Sequence, residues 1–179
     1  MDKRAFEQLQ RQAEEIRQRA APVPLAHEYI EYWHGAAFEV LGLRCVASMK
    51  EARKVVDLTP TISIPGVKPW VRGLANIGGR VLAIADLSAF LSGNKVTSNG
   101  KQALVISGRG IHCGIIIDAS FGGVRFPIND LRDEQGDVDA LKPFISGVFT
   151  SENGDYAVFN IDRLLNHSDF MEAGVSSLN

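Results

Sequence analysis

Residues 69–87 have the sequence Pro-Trp-Val-Arg-Gly-Leu-Ala-Asn-Ile-Gly-Gly-Arg-Val-Leu-Ala-Ile-Ala-Asp-Leu, and the chain nearly repeats this stretch. Residues 144–149 and 154–165 show the same features in the same order: an apolar residue near a glycine, a short strand, a glycine turn, an apolar strand and an Asp beside a Leu-rich segment. An internal repeat constrains the fold more strongly than local propensity does. Two copies predict a pair of similar β-modules, not a solenoid.

A hairpin-like pattern precedes each copy, over residues 38–47 and 104–118. From 36 to 165 the chain consists of short apolar stretches separated by Gly, Asn-Gly or Pro. This pattern is typical of strands joined by tight turns. Residues 94–101, between the two repeat units, and the acidic stretch 130–137 are predicted to be exposed loops. Regular hairpins with two short helices predict a mainly β protein made of small closed barrels, which leave few free strand edges.

The composition is that of an ordinary soluble globular protein, with 179 residues, 45% hydrophobic content and a net charge of −2. This charge argues against a nucleic-acid binder, which usually has a strong basic excess. The most apolar segments are 81–91, 103–106 and 114–119, and each is shorter than the roughly 18–20 residues of a membrane helix. Because the charged N-terminus does not resemble a signal peptide, we expect a cytoplasmic protein with no direct membrane insertion. Cys45 and Cys113 are then expected to be buried free thiols.

The N-terminal segment has the spacing of an amphipathic α-helix over residues 3–20. Its apolar positions are Phe6, Leu9, Ala13, Ile16 and Ala20. This helix either packs on its own domain or binds a partner or a second copy, and the pattern leaves both open. Pro22 and Pro24 end it. The predicted organisation is an N-terminal helix and connector over 1–35, a β domain over 36–166 and a flexible tail over 167–179.

The sequence offers few groups for a catalytic site. His112 and Cys113 are adjacent, and neighbours in a strand point to opposite faces, so they cannot act on each other as base and nucleophile. A small hydrolase that uses Cys113 or His112 with a partner from elsewhere is the alternative function. His27, His34 and His167 lack paired metal-ligand spacing. We therefore predict a protein that is not an enzyme, with no catalytic residue, metal site or cofactor.

Two further motifs have ordinary structural interpretations. Asp86 and Asp162 are at equivalent positions of the two copies, and each precedes a Leu-rich turn, where a carboxylate caps the free N–H groups of a helix. Gly78-Gly79-Arg80 lacks the spacing of a phosphate-binding loop. It is predicted to be a hairpin turn in which glycine supplies positive φ.

The opening stretch resembles the signature of CheW-like domains, the scaffold proteins of bacterial chemosensory arrays. The matching pattern is Val71-x-Gly73-Leu74-x-Asn76-Ile77-x-Gly79-x-Val81-x-Ala83-x-x-Asp86-Leu87. Residues 114–118 resemble the Gly-x-x-x-Asp strand of that family, the ending over 145–165 is similar too, and the resemblance extends over residues 36–166. Residues 64–73 are similar to the PilI branch of the family, which serves type IV pilus (twitching) systems.

This resemblance implies two intertwined five-stranded SH3-like β-barrels that share a core, with short helices and the N-terminal α-helix. It implies no activity of its own. It implies instead an adaptor that couples the cytoplasmic tip of a methyl-accepting chemoreceptor to the regulatory domain of a CheA-type histidine kinase. Such a protein is recruited to membrane-associated receptor arrays and, in the PilI branch, controls twitching motility. A regulatory β-module of another type is a further alternative, although no basic and aromatic stripe supports binding of nucleic acid.

The resemblance also implies two sets of partner-binding residues. In the family, receptor helices dock in a groove between the barrels, and the kinase domain pairs with an apolar end of the first barrel. The receptor groove here corresponds to Arg72, Gly73, Asn76, Gly78, Gly79 and Arg80. The kinase-binding surface is expected at Lys54, Val55, Val56, Leu58 and Ile62.

Some of these residues are expected to have structural roles. Gly73 and Gly79 are expected to shape the backbone, and Asn76 to hydrogen-bond the local turn. At least one of Val55 and Val56 is expected in the core, because adjacent strand residues point to opposite faces.

Two positions depart from the family pattern. The family often has Arg where this chain has Gly78, with Arg80 two places on, so either Arg80 substitutes for it or the receptor interface differs. Glu is common in the family where this chain has Lys54. A charge reversal there is expected to select a partner of opposite charge, because charges at an interface rim govern specificity and association rate.

Overall fold

A computed structural model describes residues 30–95, 97–134 and 138–174. Glu31–Asn179 is a unit of its own, and the helix predicted over 3–20 lies outside the described residues. The strands are β1 (Tyr32–Val40), β2 (Leu43–Ser48), β3 (Ala52–Asp57), β4 (Val71–Ile77), β5 (Arg80–Asp86), β6 (Gln102–Gly108), β7 (Ile111–Ile117), β8 (Ala119–Pro127), β9 (Leu131–Arg132), β10 (Ile145–Ser151) and β11 (Gly154–Phe159). The helices are α1 (Leu87–Leu91), α2 (Ile161–Asn166) and α3 (Ser168–Met171), with 3₁₀ turns at Ile128–Asp130 and Lys142–Phe144. Within the described residues, no helix is long and apolar enough to cross a membrane.

The strands form two sheets. One has five strands in the order β3-β6-β7-β5-β4, and the other has six in the order β8-β1-β2-β11-β10-β9. The sixth strand, β9, is only two residues long. The predicted mainly β fold of two small intertwined barrels is confirmed, with this short strand as an addition to one of them.

The two repeat units exchange their hairpins. The β1–β2 hairpin precedes the first copy of the repeat but pairs with the second copy, through the parallel pair β2 and β11. The β6–β7 hairpin precedes the second copy but pairs with the first, through the parallel pair β5 and β7. In these equivalent pairs Cys45 lies opposite Ala157 and Cys113 opposite Ala83. Each barrel is therefore assembled from both repeats, and neither repeat forms a barrel by itself.

Alternation along the central strands divides the buried side chains among three clusters. In β7, Ile115 and Ile117 pack in a core shared by the two sheets, while Ile116 packs inside the five-stranded barrel. In β11, Phe159 packs in the shared core and Val158 inside the six-stranded barrel. Successive strand residues point to opposite faces. A strand with apolar residues at every position therefore packs one face in the interior of its own barrel and the other face in the core that the two barrels share.

The two longer helices begin directly after the last strand of each repeat. Asp86 caps α1, because its Oδ1 accepts a hydrogen bond of 3.0 Å from the N–H of Ala89. The cap of α2 is Asn160, whose Oδ1 accepts from the N–H of Arg163 at 2.9 Å. The prediction that Asp162 caps the second helix is therefore wrong, and Asp162 lies exposed in the first turn. Asn caps a helix as well as Asp does, and Asn160 follows β11 as directly as Asp86 ends β5.

The C-terminal residues differ from the predicted tail over 167–179. Residues 168–171 form α3, and Phe170 is buried. The N–H of Lys68 donates to the carbonyl of Ala173 at 2.8 Å. Phe170 anchors this segment, because burial of an aromatic side chain favours the docked conformation. At the other boundary β1 begins at Tyr32, inside the predicted connector.

Candidate functional site

The β4–β5 hairpin is the frame of the predicted site. Ile77 pairs with Arg80, so the turn is the two residues Gly78 and Gly79, whose φ angles are 59° and 82°. Positive φ at both central residues defines the type I′ turn, which matches the twist of the flanking strands. Oδ1 of Asn76 accepts from the N–H of Gly79 at 2.9 Å. The predicted glycine turn and the predicted local role of Asn76 are both present.

The six residues predicted for the receptor groove lie at two ends of this hairpin. Arg72 and Gly73 are at its open end, near the start of β4. Gly78, Gly79 and Arg80 are at its turn end, and Asn76 lies next to the turn. The five residue steps from Arg72 to Ile77 correspond to about 17 Å of extended strand. Arg72 and Arg80 therefore lie about 17 Å apart along the hairpin and do not contact each other.

At the open end, Arg72 is held by a buried carboxylate. Its Nη1 lies 3.3 Å from Oδ2 of Asp86, whose side chain is fully buried while that of Arg72 is 43% exposed. Asp86 also accepts from the N–H of Ser98 at 3.1 Å. The buried acid is thus satisfied by backbone donors and by Arg72, whose partly exposed side chain it orients.

Gly73 brings the chain segment of Ile62 against β4. The N–H of Ile62 donates to the carbonyl of Leu74 at 2.7 Å, and the N–H of Leu74 donates back at 2.9 Å. Gly73 has φ +119°, and a Cβ on it would lie 2.1 Å from the carbonyl oxygen of Ile62. Its role is therefore to permit backbone contact. The Ile62 side chain itself is 74% exposed, so a residue predicted for the kinase surface lies next to Gly73 of the predicted receptor groove.

At the turn end lies an open cleft of about 900 Å³, which we call the basic cleft. Its charged or titratable lining groups are Arg53 and Lys54 from β3, Arg80 from β5 and His112 from β7, and Ile77 and Val81 contribute apolar surface. A Cβ on Gly78 would lie 3.7 Å from Nζ of Lys54. Lys54 and Arg80, which were predicted for different partners, therefore share one surface.

The described part of the chain supplies no acidic partner to the positive charges of the basic cleft. None of the ion pairs among the described residues involves Arg53, Lys54 or Arg80, and the cleft lining in that part of the chain includes no Asp or Glu. Val81 is 66% exposed beside these groups. Cationic groups that share a cleft with an exposed apolar side chain are suited to a partner with carboxylates next to an apolar residue.

The other residues predicted for the kinase surface are partly buried. Val55 packs against the shared core, and Val56 and Leu58 pack against the interior of the five-stranded barrel. The two valines thus point to opposite sides of β3, as alternation requires. Val55, Val56 and Leu58 pack beneath the surface, and their side chains are only partly exposed to a partner.

His112 and Cys113 lie on opposite faces of β7. His112 is exposed in the basic cleft, whereas Cys113 is 7% exposed and packs in the shared core. Burial raises the pKa of the Cys113 thiol to about 11, and it raises the pKa of Cys45 as well. Both cysteines are free and buried, as predicted, and a neutral buried thiol is a poor nucleophile.

Seven of the described residues that line the basic cleft were absent from the predicted site, and the exposed ones among them that bear on its chemistry are Arg53, Val81 and His112. Val81 follows from the two-residue turn, because the register then places it opposite Asn76. Arg53 and His112 come from other strands. Sheet pairing alone brings them to the cleft, so no local pattern could identify them.

Known proteins share this architecture. The family model for the CheW-like domain matches residues 34–169. Protein PilI of Pseudomonas aeruginosa (strain PAO1) is 36% identical over 162 residues, which is 89% of this chain and 90% of PilI. The crystal structure of scaffolding protein TtCheW from Thermoanaerobacter tengcongensis matches with a TM-score of 0.65 and 16% identity, over 84% of this chain and 97% of that chain.

Proposed function

Because the chain belongs to the family of CheW-like domains, we propose that it is a cytoplasmic, non-catalytic adaptor that couples a chemoreceptor to a CheA-type histidine kinase. Its identity of 36% with PilI over nine tenths of both chains supports a role in a type IV pilus system. In that role it controls twitching motility from receptor arrays at the membrane. Its partners are the receptor's cytoplasmic tip and the regulatory domain of the kinase.

One structural observation supports this function above the others: two different exposed surfaces lie at opposite ends of one hairpin. The open end presents Arg72 and the exposed Ile62, and the turn end presents the basic cleft. The hairpin packs against both the shared core and the interior of the five-stranded barrel. A packed core resists continuous deformation, so two partners bound at these ends are held at a defined distance.

We assign the open end to the receptor. A receptor tip is helical, and an amphipathic helix binds through an apolar face with polar residues beside it. Ile62 supplies apolar surface and Arg72 supplies a charge that Asp86 orients. Gly73, Asn76 and Gly79 maintain the backbone of the hairpin. We assign the turn end, with Lys54 and Arg80, to the kinase, and Val55, Val56 and Leu58 support it from the interior.

Each contact is expected to be weak by itself. Transient signalling interfaces bury about 1,200 Å² or less, and micromolar dissociation constants are typical of such contacts. In an array many copies are held together, so a high effective concentration replaces intrinsic affinity.

The test is a calorimetric titration of the full chain against the regulatory domain of the CheA-type kinase and against a receptor tip fragment, both from the same organism. We expect micromolar binding of each and simultaneous binding of both. Ile62→Asp should weaken receptor binding and leave kinase binding intact. Absence of binding to both partners at roughly 100 μM, about a hundredfold above the expected dissociation constants, would contradict the proposed function.

A further inference from the structure

The charge of the basic cleft predicts the chemistry of its partner. Arg53, Lys54, Arg80 and His112 converge there from three strands of the five-stranded sheet. The three that are always charged have no ion-pair partner among the described residues. Like charges kept close together without neutralisation disfavour the free state and favour a ligand of opposite sign.

We propose that the basic cleft binds an acidic surface with an apolar centre on the regulatory domain of the kinase, and that Lys54 and Gly78 together establish this charge preference. The inference rests on the proposed function, because it names the chemistry of the kinase surface that the adaptor recognises. It adds a source of selectivity, which is the ammonium group of Lys54 together with the absence of a side chain at position 78 next to it.

Gly78 leaves the ammonium group of Lys54 accessible. Its missing Cβ would lie 3.7 Å from Nζ of Lys54, so a side chain at position 78 would enter the space next to that charge. An acidic side chain there would neutralise Lys54 within the adaptor itself. With glycine at 78 the ammonium is free to pair with a carboxylate of the partner.

Val81 defines the apolar part of the partner surface. It is 66% exposed and lies in the same cleft as the four basic groups. An apolar residue on the partner that covers Val81 excludes water, which reduces the screening of the surrounding ion pairs. The partner is therefore expected to carry an apolar side chain flanked by Asp or Glu.

The backbone at position 78 allows a matched pair of variants. Its φ is 59°, and Asn and Asp are the residues other than glycine that adopt this region most readily. Gly78→Asp places a carboxylate beside Lys54, and Gly78→Asn places a neutral side chain of nearly the same shape there. The difference between the two variants isolates the effect of charge from that of size and backbone strain.

The experiment is calorimetry of the folded full-length variants against the kinase regulatory domain at two salt concentrations. We expect Gly78→Asp to raise Kd by about fivefold over Gly78→Asn, and Lys54→Glu to raise it by about tenfold over the unmodified protein. Both effects should shrink at high salt. The exposed Lys101, outside the cleft, provides the control: Lys101→Glu has the same change in net charge and should leave Kd unchanged.

The outcomes separate this inference from the proposed function. If the kinase domain binds and neither Lys54→Glu nor Gly78→Asp changes Kd relative to its control, the inference is wrong and the adaptor function stands. If the kinase domain does not bind at all, both fail. A second copy of this chain is the competing occupant. Self-association would appear as a sedimentation coefficient that rises with protein concentration. If Lys54→Glu abolishes this rise and leaves kinase binding unchanged, the cleft is a self-association surface and the inference is overturned.

Discussion

Phe170 stacks on Trp70, with ring centroids 5.1 Å apart and 12° between the ring planes. Trp70 lies immediately before β4, and Phe170 lies on α3, close to the C-terminal end of the domain. Phe90 of α1 contacts both rings at 5.3 and 5.1 Å. This aromatic group fastens the C-terminal segment to the hairpin that presents both proposed partner surfaces.

Loss of this stack should destabilise the whole domain. Phe170 is 6% exposed, and truncation of a buried Phe to Ala costs about 3 kcal/mol or more. We expect Phe170→Ala to lower the free energy of unfolding by about 3 kcal/mol in urea titrations, with an unchanged m-value. The control is Met171→Ala, since Met171 is 47% exposed. A loss below about 1 kcal/mol for Phe170→Ala would mean that the segment is not docked.

The two helix caps should differ in their contribution to stability. Asp86 is fully buried and accepts from the N–H groups of both Ala89 and Ser98, so Asp86→Ala leaves these two backbone donors without a partner and also removes the ion pair with Arg72. We expect a loss of roughly 2–4 kcal/mol. Asn160→Ala removes one cap hydrogen bond and should cost about 1 kcal/mol. Equal losses in chemical unfolding would show that the Ser98 contact contributes nothing.

Gly73 is expected to tolerate no side chain. A Cβ there would lie 2.1 Å from a backbone oxygen of Ile62, at φ +119°. We expect Gly73→Ala to cost more than about 3 kcal/mol or to prevent folding. Gly42 has φ +74° with open space around it, so Gly42→Ala reports backbone strain alone and should cost about 1–2 kcal/mol. Thermal unfolding of both variants measures the difference, and similar values would refute the close contact.

The buried thiol of Cys113 should make the domain less stable at alkaline pH. Burial raises its pKa from 9.0 to about 11, so in the unfolded chain the thiol loses its proton at lower pH than in the folded domain. The stabilisation is complete below pH 9 and is lost as pH rises towards 11, by about 1.4 kcal/mol per pH unit. Urea unfolding of the unmodified protein and of Cys113→Ala at pH 8 and pH 10.5 measures this slope. Parallel pH profiles would contradict it.

Val81 should affect binding without controlling the fold. It is 66% exposed on β5, so Val81→Asp should change the free energy of unfolding by no more than about 1 kcal/mol. The same variant puts a carboxylate into the basic cleft and should weaken binding of the kinase regulatory domain about tenfold. Val56→Asp is the contrasting variant, because Val56 packs against the barrel interior and its loss should unfold the domain. Unchanged kinase binding by Val81→Asp would remove the cleft from the proposed interface.

Local features of the sequence predicted much of the domain correctly. The turn at Gly78 and Gly79 and the hydrogen bond that Asn76 accepts are encoded within four residues, because turn chemistry depends on neighbouring φ angles. The prediction that Asp162 caps α2 failed for a local reason as well, since Asn160 and Asp162 can both cap a helix and are only two positions apart. The stacking of Phe170 on Trp70 was missed because a short apolar turn at a chain end has no periodicity to detect.

The candidate site was predictable only in part. Lys54, Gly78 and Arg80 were identified, but as members of two different surfaces. Arg72 and Arg80 were grouped because both lie in the stretch that resembles the family signature, and an extended strand then places them about 17 Å apart. Arg53 and His112 reach the cleft through the pairing of β3 and β5 with strands distant in the chain.

The sequence by itself determined the strands, their turns, the twofold repeat and which residues alternate into a core, because each depends on neighbours within a few positions. Only the tertiary structure decided which hairpin joins which repeat. The β1–β2 hairpin joins β11, and the β6–β7 hairpin joins β5. Alternation specifies the two faces of a strand but not its partner. That choice depends on filling one shared core from both repeats, and the same exchange places Lys54 beside Gly78 and creates the basic cleft.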